Sequence, residues 1–101
     1  MIDASHANSG KRPENQIPVC EDVGRQIASG DPRIVGVMVE SHLVAGRQDL
    51  VAGRPLTYGQ SITDPCIGWE DTVRILDGLA EAVRARRLVA SAVDGGDPAA
   101  R

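Results

Sequence analysis

An unbroken apolar run, IVGVMV at residues 34–39, constrains the fold of this chain more than any other segment. The run is short, rich in β-branched residues, and bounded by the turn-forming GDP triplet at 30–32 and by the polar Glu40. Apolar runs that lack polar alternation are typical of parallel strands covered on both faces. Because such strands need crossover helices and neighbouring strands, the run predicts an α/β fold.

The flanking segments predict two consecutive βα units. Residues 1–3 predict the end of a strand that is too short to be complete, so we expect further sequence upstream. From about Arg12 to Ser29 the apolar residues, which run from Ile17 to Ile27, recur at helical spacing, and Pro18 requires that this helix begin near Ile17 or bend. A second amphipathic helix is predicted for residues 69–87. A doubly wound sheet or a (β/α)₈ barrel fits this order, and the positions match the last two βα units of a barrel, incomplete as given.

One domain is expected over residues 1–87, followed by a disordered tail at 88–101. Many side chains in this tail are small, and it contains several Ala and Gly residues. Basic residues precede it and would complement the carbonyl groups at the end of the second helix. These are Arg84, Arg86 and Arg87.

Composition narrows the class of protein. The net charge is -3 with both signs interspersed, which indicates neither a nucleic-acid surface nor a basic membrane surface. No apolar run approaches the roughly 20 residues of a membrane span, and no export leader precedes the first segment, so we expect a cytoplasmic protein. Cys20 and Cys66 are expected to be free thiols, with Cys20 in the core and Cys66 a weak metal-ligand candidate.

His6, Glu40 and Asp64 are the candidate functional residues. His6 and Glu40 each follow a predicted strand, where α/β folds place their sites, and Asp64 closes the long polar loop. One imidazole and two carboxylates form a donor set that suits a divalent ion such as Mn, Fe, Co or Zn. Each residue also has a structural alternative: a hydrogen-bonded His at a strand end, a salt-bridged Glu, and an Asp that caps a turn. His42 is a further candidate, for which we favour a structural or exposed role.

The sequence motifs around His6, Glu40 and Asp64 are more specific indicators of a protein family than the spacing of the three residues. In order, they are MIDASHANSGK, GVMVESHLVAGRQDL, PLTYGQSITDPCIGWEDT and AVRARR. Over residues 1 to about 87 the chain resembles the carboxyl-terminal part of the class I 3-deoxy-D-arabino-heptulosonate 7-phosphate (DAHP) synthases. Glu40 follows His6 by 34 positions and Asp64 follows Glu40 by 24, and both intervals are similar to those of that family.

The resemblance implies a (β/α)₈ barrel that condenses phosphoenolpyruvate with erythrose 4-phosphate, the first step of the shikimate pathway to aromatic amino acids. It implies that His6, Glu40 and Asp64 bind a divalent metal that polarises the aldehyde as a Lewis acid. It also implies catalytic roles for His6 and for Asp64, which would meet a sugar hydroxyl or a water. The complete enzyme is expected to be a homo-oligomer.

The chain also departs from that family. The family's fourth ligand, a Cys from the first barrel strand, and the Arg and Lys residues that hold both phosphates have no counterpart here. A barrel of this type needs ~250 residues, so we expect a fragment that is inactive alone. Three alternatives stay open: a small metal-binding or interaction module without catalysis, a non-functional remnant, and one half of a split enzyme.

Overall fold

The computed structural model describes residues 1–96 of the 101 in the chain. Its elements are two strands, three α-helices and one short 3₁₀ helix. In chain order they are β1 (Ile2–Asp3), α1 (His6–Ser9), the 3₁₀ helix (Pro13–Asn15), α2 (Gln16–Ala28), β2 (Val37–Met38) and α3 (Trp69–Gly96). This order confirms the predicted mixed α/β class.

The strands pair in parallel, with Ile2 opposite Val37 and Asp3 opposite Met38. The predicted parallel pairing is therefore present, but only two residues of the 34–39 run form a strand. The expectation that this run is buried on both faces is wrong for this chain, because Val35 is 81% exposed. Within residues 1–96 the sheet has two strands, so each strand keeps one edge that no other strand covers.

Helices α2 and α3 pack against each other and against the sheet. Helix α2 begins at Gln16, which makes Pro18 its third residue. The first four N–H groups of a helix have no intrahelical partner, so Pro is tolerated there without a bend. Two contiguous clusters of buried side chains form the core. They are Ala4, Cys20, Ile67 and Ile75, and Val23, Ile27, Ile34 and Ala82.

Helix α3 continues well past Arg87, where the sequence predicted its end. It reaches Gly96, so the predicted helix end at residue 87 is wrong. The disordered tail stays a prediction, and its residues 97–101 lie outside the described part. The segment LVASAVD at 88–94 holds no Gly or Pro, and its Leu88, Ala90 and Ala92 favour helix, so the helix continues after its apolar spacing weakens. No helix within residues 1–96 has the length and apolar character needed to cross a membrane.

Arg86 consequently lies inside α3 instead of at its end. Its Nη1 donates hydrogen bonds to the carbonyl oxygens of Asp31 (2.9 Å) and Ile34 (2.7 Å). These carbonyls belong to the turn that joins α2 to β2. The guanidinium thus fixes the approach to β2, in place of the predicted interaction with the carbonyls of a helix end.

The polar connection after β2 is ordered by hydrogen bonds in place of regular structure. Isolated bridges join Ser41 to Ile67, Gly46 to Cys66, and Arg47 to Ser61. The first bridge brings the far end of the loop back beside the carboxyl end of β2. The loop therefore returns Asp64 to the edge of the sheet where β1 and β2 end.

Candidate metal centre

Three side chains predicted to form a site converge at the carboxyl ends of the strands. Each of His6, Glu40 and Asp64 offers one donor atom, and the three atoms lie within 4.8 Å of one another. Nε2 of His6 is 3.5 Å from Oε1 of Glu40 and 3.4 Å from Oδ2 of Asp64. Residues separated by the whole length of α2 and by a long loop thus share one small volume.

The His6 imidazole is oriented by Asp3, the last residue of β1. Nδ1 of His6 lies 2.9 Å from Oδ2 of Asp3, and the other oxygen of Asp3 accepts a hydrogen bond from the Ser5 N–H at 2.8 Å. Because its Nδ1 is engaged, the ring presents Nε2 to the two other donors. A carboxylate behind a ligating His is the usual arrangement in metal sites, since it fixes the tautomer and ring orientation.

The same contacts shift the ionisation of both partners. The hydrogen bond with Asp3, followed by the negative charge of Glu40, raises the pKa of His6 above its ordinary value. That hydrogen bond in turn lowers the pKa of Asp3. Without a cation, the cluster therefore favours a protonated imidazole among carboxylates.

The backbone of His6 adopts a left-handed conformation, with φ at 49°. Side-chain-bearing residues adopt this region uncommonly, although His does so more often than most. His6 lies three residues past the last residue of β1 and begins the single turn of α1. The change of direction keeps the imidazole at the strand end, where it faces Glu40 and Asp64.

Glu40 and Asp64 differ in their surroundings. Glu40 is 20% exposed, and one of its carboxylate oxygens, Oε1, accepts a hydrogen bond from the Ser5 hydroxyl. Asp64 is 61% exposed and is held through Thr63, the residue before it. Nε of Arg47 donates to the Thr63 carbonyl oxygen at 2.8 Å, and the Thr63 N–H donates to Oγ of Ser61 at 3.1 Å. Glu40 is thus the restrained carboxylate, and Asp64 is the one open to solvent.

The donor set and its geometry fit a divalent cation. Two atoms bound side by side to one ion, each at 2.0–2.2 Å, lie about 3 Å apart. The separations of 3.4 and 3.5 Å from His6 exceed that value by only a few tenths of an ångström. One nitrogen and two carboxylate oxygens suit Mn, Fe, Co or Zn and leave positions for substrate or water. These three residues are therefore the ones that would hold a metal.

The remaining candidates lie outside this donor group. His42 is exposed, and its Nδ1 accepts a hydrogen bond from the Leu43 N–H at 2.8 Å, which agrees with a structural role. Cys20 and Cys66 are buried free thiols. Burial raises the pKa of both. Sγ of Cys66 lies 3.5 Å from the Asp64 carbonyl oxygen, so this thiol neighbours the site without joining the three donors.

Sequence reasoning missed Asp3 and Ser5. Asp3 bonds the N–H two residues onward, the common local pattern of Asp and Asn at turns, so its position at a strand end was a usable signal. Ser5 had no such signal, because its partner lies 35 residues away. Both residues support the donors without belonging to the donor set.

Comparison with known proteins decides the family. Residues 1–77 match the family model described as the DAHP synthetase I family. The chain belongs to the DAHP synthetase I family. Phospho-2-dehydro-3-deoxyheptonate aldolase from Haemophilus influenzae is 63% identical over 91 residues, which cover 90% of this chain and 25% of that protein. The Phe-sensitive aldolase of the same name from Escherichia coli K12 is 63% identical over 87 residues, which cover 86% of this chain and 25% of that protein.

A solved structure shows the same relationship in three dimensions. The phospho-2-dehydro-3-deoxyheptonate aldolase from Francisella tularensis SCHU S4 superposes with a TM-score of 0.77 at 51% identity. The match covers 84% of this chain and 25% of that chain. The resemblance noted from the motifs is confirmed, and the DAHP synthetase I chain described here spans about a quarter of the length of the relatives that it matches.

Proposed function

We propose that this chain supplies the metal-binding quarter of a DAHP synthase. The reaction joins phosphoenolpyruvate, erythrose 4-phosphate and water to give DAHP and phosphate, the first step of the shikimate pathway. The observation that supports this most is the convergence of His6, Glu40 and Asp64 in a chain 63% identical to an aldolase of this family.

We assign residues 1–87 to the last two βα units of a (β/α)₈ barrel. The parallel pairing of β1 with β2 supports this assignment, as do helices that follow the strands in βα order. In such barrels, side chains at the carboxyl ends of the strands form the active site. All three candidate donors lie at that end.

The residues of this chain would have different roles at the site. His6, with Nδ1 held by Asp3, would present Nε2 to the ion, and Glu40 would bind through a carboxylate restrained by Ser5. When bound, a divalent ion supplies Lewis acidity for an aldehyde oxygen. Asp64, the exposed carboxylate, is open to a substrate hydroxyl or a water and would accept its proton.

The isolated chain is expected to bind metal without turnover. The relatives are about four times its length, and a second candidate function follows from that fact: a metal-binding module without catalysis. A split enzyme, in which a separate chain supplies the other barrel units, is the third. All three share the metal centre and differ only in catalysis.

A chimera separates a catalytic role, in a synthase fragment or in a split enzyme, from a metal-binding module. Residues of this chain would replace the matched segment in the Haemophilus influenzae relative, and phosphate release from phosphoenolpyruvate and erythrose 4-phosphate would be measured with Mn²⁺. We expect turnover by the chimera, and none by its His6→Ala variant or by the isolated chain. A folded, Mn²⁺-binding chimera without turnover would refute the synthase function and favour the module. Turnover by the isolated chain above its own His6→Ala control would refute the predicted inactivity.

A further inference from the structure

Gln16, the first residue of α2, is a fully buried polar side chain with 0% exposure. Its amide makes a paired contact with the peptide groups of a single distant residue, Glu40. Oε1 of Gln16 accepts from the Glu40 N–H at 2.7 Å, and Nε2 donates to the Glu40 carbonyl oxygen at 3.0 Å. Nε2 also lies 3.3 Å from the Pro13 carbonyl oxygen, so all the polar atoms of the amide are used.

The contact replaces a hydrogen bond that the sheet itself would make. Along β1, the Ile2 N–H donates to the Gly36 carbonyl, and the Ala4 N–H donates to the Met38 carbonyl. In a parallel ladder, bonds of this kind recur every second residue, so the next would run from the His6 N–H to the Glu40 carbonyl. His6 has already turned away into its left-handed conformation. The Gln16 amide and the Ile67 N–H, which donates to the same oxygen at 3.1 Å, replace the donor that β1 no longer supplies.

Glu40 is therefore anchored at its backbone while its side chain reaches the site. The Ile67 N–H donates to the same carbonyl oxygen at 3.1 Å, and Ser5 holds the carboxylate. Because both peptide groups that flank its Cα are hydrogen-bonded, the Glu40 side chain starts from a defined Cα position. A donor held in this way loses less conformational freedom when it binds an ion.

We propose that Gln16 is a positioning residue that acts through the Glu40 peptide to direct the Glu40 carboxylate toward His6 and Asp64. This inference rests on the proposed function of the site as a metal centre. Gln16 touches neither substrate nor metal in this scheme. Its effect on metal affinity passes through Glu40 alone.

The first test compares Gln16→Met with Gln26→Met in the 101-residue chain. Met is close to Gln in size and removes both hydrogen bonds to Glu40, and Gln26 is an exposed Gln on the same helix. The affinity for Co²⁺, followed by its visible d–d absorption, should fall about tenfold in Gln16→Met, a typical loss for residues behind the ligands. Gln26→Met should bind as the unchanged chain does. Circular dichroism would verify that each chain is folded at the temperature used.

The second test separates positioning from general support of the fold. In a Glu40→Ala chain, the weaker Co²⁺ binding left to His6 and Asp64 should not respond to Gln16→Met, because the carboxylate that Gln16 positions is gone while the peptide groups that it holds remain. An equal loss in both backgrounds would overturn the proposal. Should Gln16→Met not fold, Gln16→Asn replaces it, since Asn keeps an uncharged amide but is one methylene too short to bond both groups of Glu40, and a smaller loss is expected.

The two proposals fail differently. If the unchanged chain does not bind Co²⁺, the metal centre is refuted and the role of Gln16 falls with it. If the chain binds Co²⁺ and a folded Gln16→Met binds it equally well, only the positioning role is refuted.

Discussion

Asp3 occupies one ring nitrogen of His6 and leaves the other free for the metal centre. The hydrogen bond raises the pKa of the imidazole in the metal-free chain, so proton and metal compete for the same ring. The sign of the effect on folding follows from linkage. Since the folded-state pKa of His6 lies above the unfolded value of about 6.5, the protonated cluster stabilises the metal-free fold below that pH. The contribution is lost as pH rises through the raised pKa.

Asp3→Asn should lower the pKa of His6, because the Asp3 hydrogen bond is the largest cause that raises it. The measurement is an NMR titration of the His6 ring in the metal-free chain. Asp77→Asn, on the exposed face of α3, is the matched control and should leave the His6 titration where it is. An Asp3→Asn chain whose His6 titrates as before would contradict the orienting role of Asp3.

At the scale of elements, local sequence patterns predicted the type of an element better than they predicted its end or the burial of its residues. The types of α2 and β2 follow from spacing and β-branching, which are properties of neighbouring residues. The end of α3 was misplaced because helix propensity at 88–94 outlasts the apolar stripe. The exposure of Val35 was missed because burial depends on which strands and helices cover the residue. A helix starting at Gln16 with Pro18 inside its first turn was one of the two alternatives left open.

The turn between α2 and β2 is held by cations from two directions. Arg33 hydrogen-bonds the Asp31 carboxylate and holds its pKa at about 2. Arg86 reaches the same turn from α3 and bonds two of its carbonyl oxygens. Because only Arg86 joins this turn to a distant helix, it is the cation expected to matter most for stability.

Arg86→Met should lower the free energy of unfolding by about 1–3 kcal/mol, the usual cost of leaving hydrogen-bonded carbonyls without a charged donor. Urea denaturation followed by circular dichroism would give the value. Arg87→Met, one position along and exposed, removes the same charge without those bonds and serves as the control. Equal losses in the two variants would show that charge, and not the contact with the turn, is responsible.

At the scale of the whole molecule, the site is assembled from parts that are far apart in sequence. The convergence of His6, Glu40 and Asp64 was predictable because each lies in a motif at a strand end or loop end. Asp3, Ser5 and Gln16 are the supports, and two of them were hidden because their partners lie 35 and 24 residues away. Hydrogen bonds of that span depend on the tertiary fold, which no local pattern encodes.

Metal binding should stabilise the whole chain, because the ligands converge only in the folded state. At a Co²⁺ concentration 100 times the dissociation constant, the free energy of unfolding should rise by about 2.7 kcal/mol. Urea denaturation with Co²⁺ and then with excess EDTA would measure the gain and its reversal. A His6→Ala chain should show little gain, and an equal gain in that variant would place the bound ion elsewhere.

Alkylation of the two buried thiols would report local opening of the folded chain. Alkylation requires both thiolate and solvent access, and each Cys has its pKa raised by burial, so neither reacts readily in the closed state. Cys20 lies in the core between α2 and the sheet, whereas Cys66 lies in the loop that returns Asp64. The ratio of their alkylation rates in a single sample therefore compares how often the core opens with how often the loop beside the candidate metal centre opens.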